Sequence, residues 1–232
     1  ELRRKNWIQH DEFPYTTVCG LEYDTGDYEK ATARATELLG YDELRREQQE
    51  RRDRNDPVQI GIGVSTYTEM CGLAPSRWLG REGYIAGGWE AATVRVLPLG
   101  KVEVVTGTSP HGQGHETTFA QITADALGVP FDDVVVVHGD TRTAPLGLDT
   151  YGSRSLAVGG IAIHQACEKI VEKARALAAH QLECDPSDLE FSAGTFTVRG
   201  SPESSKTIQE LAFASFVAHD LPDGANPILT AD

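Results

Sequence analysis

The chain has 232 residues, 40% of them hydrophobic and 24% charged, ordinary proportions for a folded protein with room for one large or two small domains. Its formal net charge of −14 excludes nonspecific attraction to a nucleic-acid backbone, and no apolar run approaches the ~20 residues needed to span a bilayer. The four cysteines, Cys19, Cys71, Cys167 and Cys184, form no C-x-x-C pair, which points to reduced thiols rather than zinc or iron–sulfur ligation.

In chain order, residues 1–26 are irregular and aromatic-containing. Helical patterns follow from Asp27 to about Leu39 and from Asp42 to about Arg54, broken at Gly40, the first capped by Thr25-Gly26-Asp27. The mixed-sign stretch Arg45–Arg54 reads as a solvated face. After Pro57 the pattern turns to β: Ile60 to Met70 alternates and predicts a strand of the core sheet. Residues 71–88 form a loop, and Trp89 anchors the core beside a hairpin of Glu90–Leu97 and Lys101–Thr106. A helix over 116–127 stops at Gly128, with Pro130 beyond it. Val134 to Val137 is a buried strand, and a long helix runs from about Gly159 to Glu183. A second hairpin joins Leu189–Phe191 to Thr195–Val198, and a last helix covers Thr207 to about Val217. The Pro- and Gly-containing stretch after Leu221 forms a loose tail.

The most informative segment lies between the hairpin and the 116–127 helix: Thr106-Gly107-Thr108-Ser109-Pro110-His111-Gly112-Gln113-Gly114-His115-Glu116-Thr117-Thr118. A glycine-rich turn between strand and helix aims main-chain N–H groups at the positive end of the helix dipole, which suits an anion. Gly112 and Gly114 can take positive φ and admit a ligand to the backbone, and Gln113 adds an amide that donates and accepts. The spacing of Gly107 and Gly112 approaches a phosphate loop, but Gln113-Gly114 stands where Lys and Ser/Thr belong, against triphosphate hydrolysis. His111 and His115 resemble a metal pair, although the intervening glycines disfavour the helix that would align them.

A second loop repeats the arrangement. After Val137 come Gly139-Asp140-Thr141 and then Thr150-Tyr151-Gly152-Ser153-Arg154-Ser155, ahead of the long helix. Hydroxyls and a guanidinium there suit a pyrophosphate or oxyanion; the plainer reading makes Ser153 or Ser155 a helix cap and Arg154 a surface ion pair. Both loops are expected at the same end of their strands, where α/β arrangements bind ligands. Residues 107–160 hold six acids (Glu116, Asp125, Asp132, Asp133, Asp140, Asp149) against Arg142 and Arg154, so oriented amides and one arginine, not a basic patch, must hold an anion here.

His111-Gly112-Gln113-Gly114-His115-Glu116-Thr117-Thr118, with Ala120-Gln121 following, resembles the cofactor loop of molybdenum hydroxylases of the xanthine oxidase family, and within it the large subunits of the carbon monoxide dehydrogenase branch. Gly139-Asp140-Thr141 and residues 150–155 resemble the next two landmarks. Arg4-Lys5-Asn6-Trp7-Ile8, Phe13-Pro14-Tyr15 and Tyr23–Tyr28 are similar to the linker region. One departure is His111, where the carbon monoxide oxidisers have glutamine.

The resemblance implies an α+β fold of mixed sheets with packed helices. It divides the chain into a linker and helical segment (1–56), a partial molybdopterin-binding domain (57–220) and the tail (221–232). It implies binding of molybdopterin cytosine dinucleotide with molybdenum by His111, Gly112, Gln113, Gly114, His115, Thr117, Thr150, Tyr151, Gly152, Ser153, Arg154 and Ser155. It further implies oxidation or hydroxylation of a small substrate with water-derived oxygen, and electron transfer to partner subunits carrying FAD and 2Fe-2S clusters. A cytoplasmic dimer of heterotrimers is the expected complete assembly. The family's active-site loop and base have no matching positions, so the chain is expected to be an internal piece, inactive alone, with no catalytic residue assigned. Two alternatives stand beside this: a scaffold of the same fold without cofactor, and a hydrolase using Ser153 or Ser155 with His115 and Asp140, which lacks the G-x-S-x-G elbow.

Overall fold

The computed structural model describes all 232 residues, in two compact units, Glu1–Thr68 and Glu69–Asp232. The first unit contains α1 (Leu2–Asn6), a two-stranded ribbon of β1 (Tyr15–Thr16) and β2 (Glu22–Tyr23), and then α2 (Tyr28–Leu39) and α3 (Tyr41–Asp53). The sequence places both longer helices within two residues. Asp27 caps α2 by accepting from the Lys30 N–H at 2.9 Å, and Gly40, at φ 67°, ends it and begins α3.

Residues 57–68 belong to this first unit, which moves the expected boundary after residue 56. The reason is a set of hydrogen bonds back to the helices. Gln48 Nε2 donates to the Ile60 carbonyl at 2.7 Å, Arg51 Nη1 to the Val58 carbonyl at 3.0 Å, and the Tyr28 and Thr68 hydroxyls lie 3.2 Å apart. Ile60–Met70 forms no strand, which corrects the core-strand expectation. An alternating pattern specifies a pleated backbone, not a ladder partner.

The second unit begins with a short helix, α4 (Ser76–Arg81), in what reads as loop. Its main sheet has the order β5-β4-β3-β9, built from β3 (Ala92–Val96), β4 (Val102–Thr106), β5 (Val134–Val137) and β9 (Leu229–Ala231). β3 pairs antiparallel with β4 and β9, whereas β4 and β5 run parallel, Val102 opposite Val134 through Val105 opposite Val137. On β3 and β4, Ala92, Val94, Val96, Val102 and Val104 face inward as their alternation requires. They pack with Phe119 and Leu127 of α5 (His115–Leu127) and Ile163 and Ile170 of α6 (Ile161–Gln181).

The loose tail is corrected by β9, whose Leu229 and Ala231 are buried and whose backbone pairs with Val94–Val96. Trp89 is corrected too: it is 43% exposed and anchors no core. A second, antiparallel sheet contains β6 (Leu189–Ser192), β7 (Thr195–Val198) and β8 (Ser201–Thr207). It leads into α7 (Ile208–Val217), which starts with a capping box between Thr207 and Glu210. The fold is α+β with mixed sheets. No helix is long and apolar enough to cross a membrane.

Candidate functional site

Because β4 and β5 are parallel neighbours, the loops that follow them leave the same edge of the sheet. The first loop, 107–114, reaches α5; the second, 138–154, reaches α6. The loops are joined: the Ser109 N–H donates to Thr150 Oγ1 at 3.1 Å, and Thr150 Oγ1 lies 2.9 Å from Ser155 Oγ. A cavity of about 520 Å³ opens between them. Its lining includes His111 and Gln113 from the first loop with His115 at the start of α5, and Thr150, Tyr151, Gly152 and Ser153 from the second with Ser155 just beyond it.

The first loop is open at its glycine end. Gly112 and Gly114 sit at φ 95° and 82°, and a Cβ on either would meet nothing within 4 Å, so open space lies against the main chain. Gly114 begins α5 without any side-chain cap, leaving N–H groups at the helix start available to an anion, although the Glu116 carboxylate accepts from its own N–H. Gln113 Oε1 accepts from the His111 N–H at 2.6 Å, which fixes the amide and leaves its NH₂ group available. His115 is buried, stacks on Phe119 with 4.9 Å between ring centroids, and has no partner for Nδ1. Burial and the nearby His138 hold its pKa below the usual histidine value, so it is neutral at neutral pH.

The second loop is tied down. Asp149 and Ser153 both have positive φ, 66° and 52°, a conformation that costs a non-glycine residue energy and persists only where surroundings impose it. Asp149 Oδ1 accepts from the Thr150 N–H at 2.7 Å, and Ser153 Oγ donates to Glu69 Oε1 at 2.6 Å. Hydrogen bonds involving Ser109 hold the Asp149 carboxyl below its ordinary range. A π-helical turn, Ser155–Gly160, then carries the chain into α6, so neither serine caps that helix by a side-chain bond.

Two expected contacts are corrected. Arg154 does not reach the cavity. Its side chain is 0% exposed and pairs with the equally buried Glu90 at 2.9 Å, while further bonds run to the carbonyls of Asp149 and Trp89. Its charge is spent inside the protein, so main-chain amides and neutral side chains must hold an anion. Thr117 is exposed and does not line the cavity; Thr118, one residue on, does. The hydrolase arrangement is not assembled, since Ser153 bonds Glu69, Ser155 bonds Thr150 and Asp140 pairs with Arg142 at 3.1 Å.

Four contributors escaped the sequence reading: Glu69, Glu90, Thr118 and His138. His138 follows β5 directly, a position at the carboxyl edge that could have drawn notice. Its Nε2 lies 3.0 Å from Glu116 Oε1. Glu90 carries no local signal.

An uncapped helix start, open space beside two glycines and an unpartnered buried imidazole nitrogen fit a large anionic guest bearing polar ring atoms. The family described as the molybdopterin cofactor-binding domain matches residues 34–230. The chain is 43% identical over 232 residues to the carbon monoxide dehydrogenase large chain of Hydrogenophaga pseudoflava, covering 100% of this chain and 28% of that one. Among solved structures, reconstituted CO dehydrogenase from Oligotropha carboxidovorans matches with TM-score 0.65 and 44% identity over 99% of this chain and 29% of the other. Quinoline 2-oxidoreductase from Pseudomonas putida 86 matches with TM-score 0.64 and 35% identity, with the same coverages of 99% and 29%. The chain thus spans less than a third of each of these relatives. On this match and this fold, it belongs to the molybdopterin cofactor-binding domain family.

Proposed function

We propose that the chain is the cofactor-cradling part of the large subunit of a carbon monoxide dehydrogenase-like molybdenum oxidoreductase, and that it binds molybdopterin cytosine dinucleotide between its two loops. The observation that carries this reading is the cavity of about 520 Å³, where an uncapped helix start meets a hydroxyl-rich second loop. His111, Gly112, Gln113, Gly114 and His115 would hold the guest from one side, and Thr150, Tyr151, Gly152, Ser153 and Ser155 from the other.

When bound, the molybdenum centre supplies oxidation of a small substrate with oxygen taken from water. The chain binds and orients. The amides at the start of α5 neutralise negative charge without a cation, Gln113 presents its fixed NH₂, and His115, neutral, offers one ring nitrogen that burial keeps from water. The complete protein is proposed to work in the cytoplasm as a dimer of heterotrimers, with FAD and 2Fe-2S subunits taking the electrons. The test is purification of the full-length protein with its neighbours, metal and cytidine analysis, and turnover with carbon monoxide, an aldehyde and an N-heterocycle. Bound molybdenum and turnover of one class are expected. A complex free of molybdenum under all growth conditions would make the domain a scaffold.

A further inference from the structure

Glu90 stands just ahead of β3, away from both loop motifs, yet its carboxylate is the hub of the region. Oε1 accepts from the Ala91 N–H at 3.1 Å; Oε2 accepts from the Leu148 N–H at 3.3 Å and from Arg154 Nη1 at 2.9 Å. The backbone makes room for it: a Cβ on Gly107 or on Gly147 would collide with Oε1. One glycine comes from each loop, so the carboxylate is wedged between them. Arg154, held by Glu90, fixes the Asp149 and Trp89 carbonyls and lies over the Tyr151 ring at 5.1 Å.

We propose that Glu90 is a positioning residue for the cofactor cavity, acting through Arg154 to hold residues 147–155 in their strained form. The proposal rests on the cofactor reading above. Neither side chain touches the cavity, and both are 0% exposed. A buried pair of this kind is no net gain in stability over neutral packing, whereas its several directed bonds specify one backbone arrangement. The strained Asp149 and Ser153 flank Thr150 and Tyr151, which face the cavity, so release of this clamp would relax the cavity wall.

The experiment uses the full-length protein in its complex, with molybdenum and cytidine nucleotide per subunit, thermal midpoint, and amide exchange across residues 144–156 as readouts. In Glu90→Gln the amide must set its NH₂ against a donor on one side or the other, and Arg154 loses its counter-charge. Cofactor content is expected to fall about ten- to hundredfold, with faster exchange at Leu148 and a lowered midpoint. The double variant Glu90→Gln/Arg154→Met removes the stranded charge and recovers most of the midpoint. Its cofactor content is expected to stay low, because the loop carbonyls have still lost their donor. Recovery of content and midpoint together, or wild-type content in Glu90→Gln, overturns the proposal. If those variants fail to assemble, Arg154→Lys keeps the charge but not the planar fork: reduced content at a near wild-type midpoint supports positioning, and full content overturns it. Gln113→Ala separates the two levels, since unchanged content there defeats the cofactor reading, whereas loss there with none in Glu90→Gln defeats only this one.

Discussion

The two loops at the edge of the β4–β5 pair do opposite things with the same raw material. The loop after β4 gains openness from glycine: its two positive-φ positions are glycines with open space beside them, and its neighbouring helix has no side-chain cap. The loop after β5 places non-glycine residues, Asp149 and Ser153, at positive φ and holds them with side-chain bonds and a buried ion pair. The first therefore offers recognition, and the second offers a fixed wall. Recognition should fail on local changes without unfolding, and the wall should fail with a cost to stability.

The comparison breaks most sharply at Gly114. Gly114→Val puts a branched side chain at φ 82°, a strain of about 1–3 kcal/mol, and pushes it into the space the guest needs. Molybdenum content of the full-length complex should drop about a hundredfold. Gln113→Ala removes an exposed amide that holds no core contact, so unfolding by denaturant should be unchanged while content falls about tenfold; parallel loss of both would show that the first loop also carries the fold.

On the other side, Thr150→Val leaves the Ser109 N–H without its acceptor and cuts the link to Ser155. A stability loss of about 1 kcal/mol is expected from denaturant unfolding. The smallest effect is on pH dependence. His115 is neutral in the folded protein because its pKa is held below the ordinary 6.5 by burial and by His138. The unfolded chain therefore binds a proton first as pH falls, and folding stability declines from 6.5 down to the folded value. Glu116, also lowered, loses its contribution only below 4.5, a separate window. His115→Gln should flatten the upper step; equal slopes in both proteins would contradict the buried neutral imidazole.

Elements defined by local pattern were legible in the sequence: the β3–β4 hairpin, α5, α6 and the β6–β7 hairpin all carry period and punctuation within their own residues. What was not legible depends on partners far along the chain. Leu229–Ala231 is too short to show a period, and its pairing with β3 lies 136 residues away at the Thr230–Val94 bond. Ile60–Met70 shows the reverse, a period without a ladder. At the site, the glycine loop was legible because it needs particular backbone angles. Arg154 was misread because a guanidinium near a helix start looks the same whether it meets a ligand or a buried carboxylate, and Glu90 sits 64 residues earlier.

The most direct test is a structure of the full-length subunit with its cofactor in place. The account predicts the dinucleotide between the loops, with main-chain nitrogens of residues 112–116 in hydrogen-bond reach of its phosphates and Gln113 beside it. A dinucleotide seated elsewhere, with protein side chains filling the space between His111 and Ser155, would contradict it.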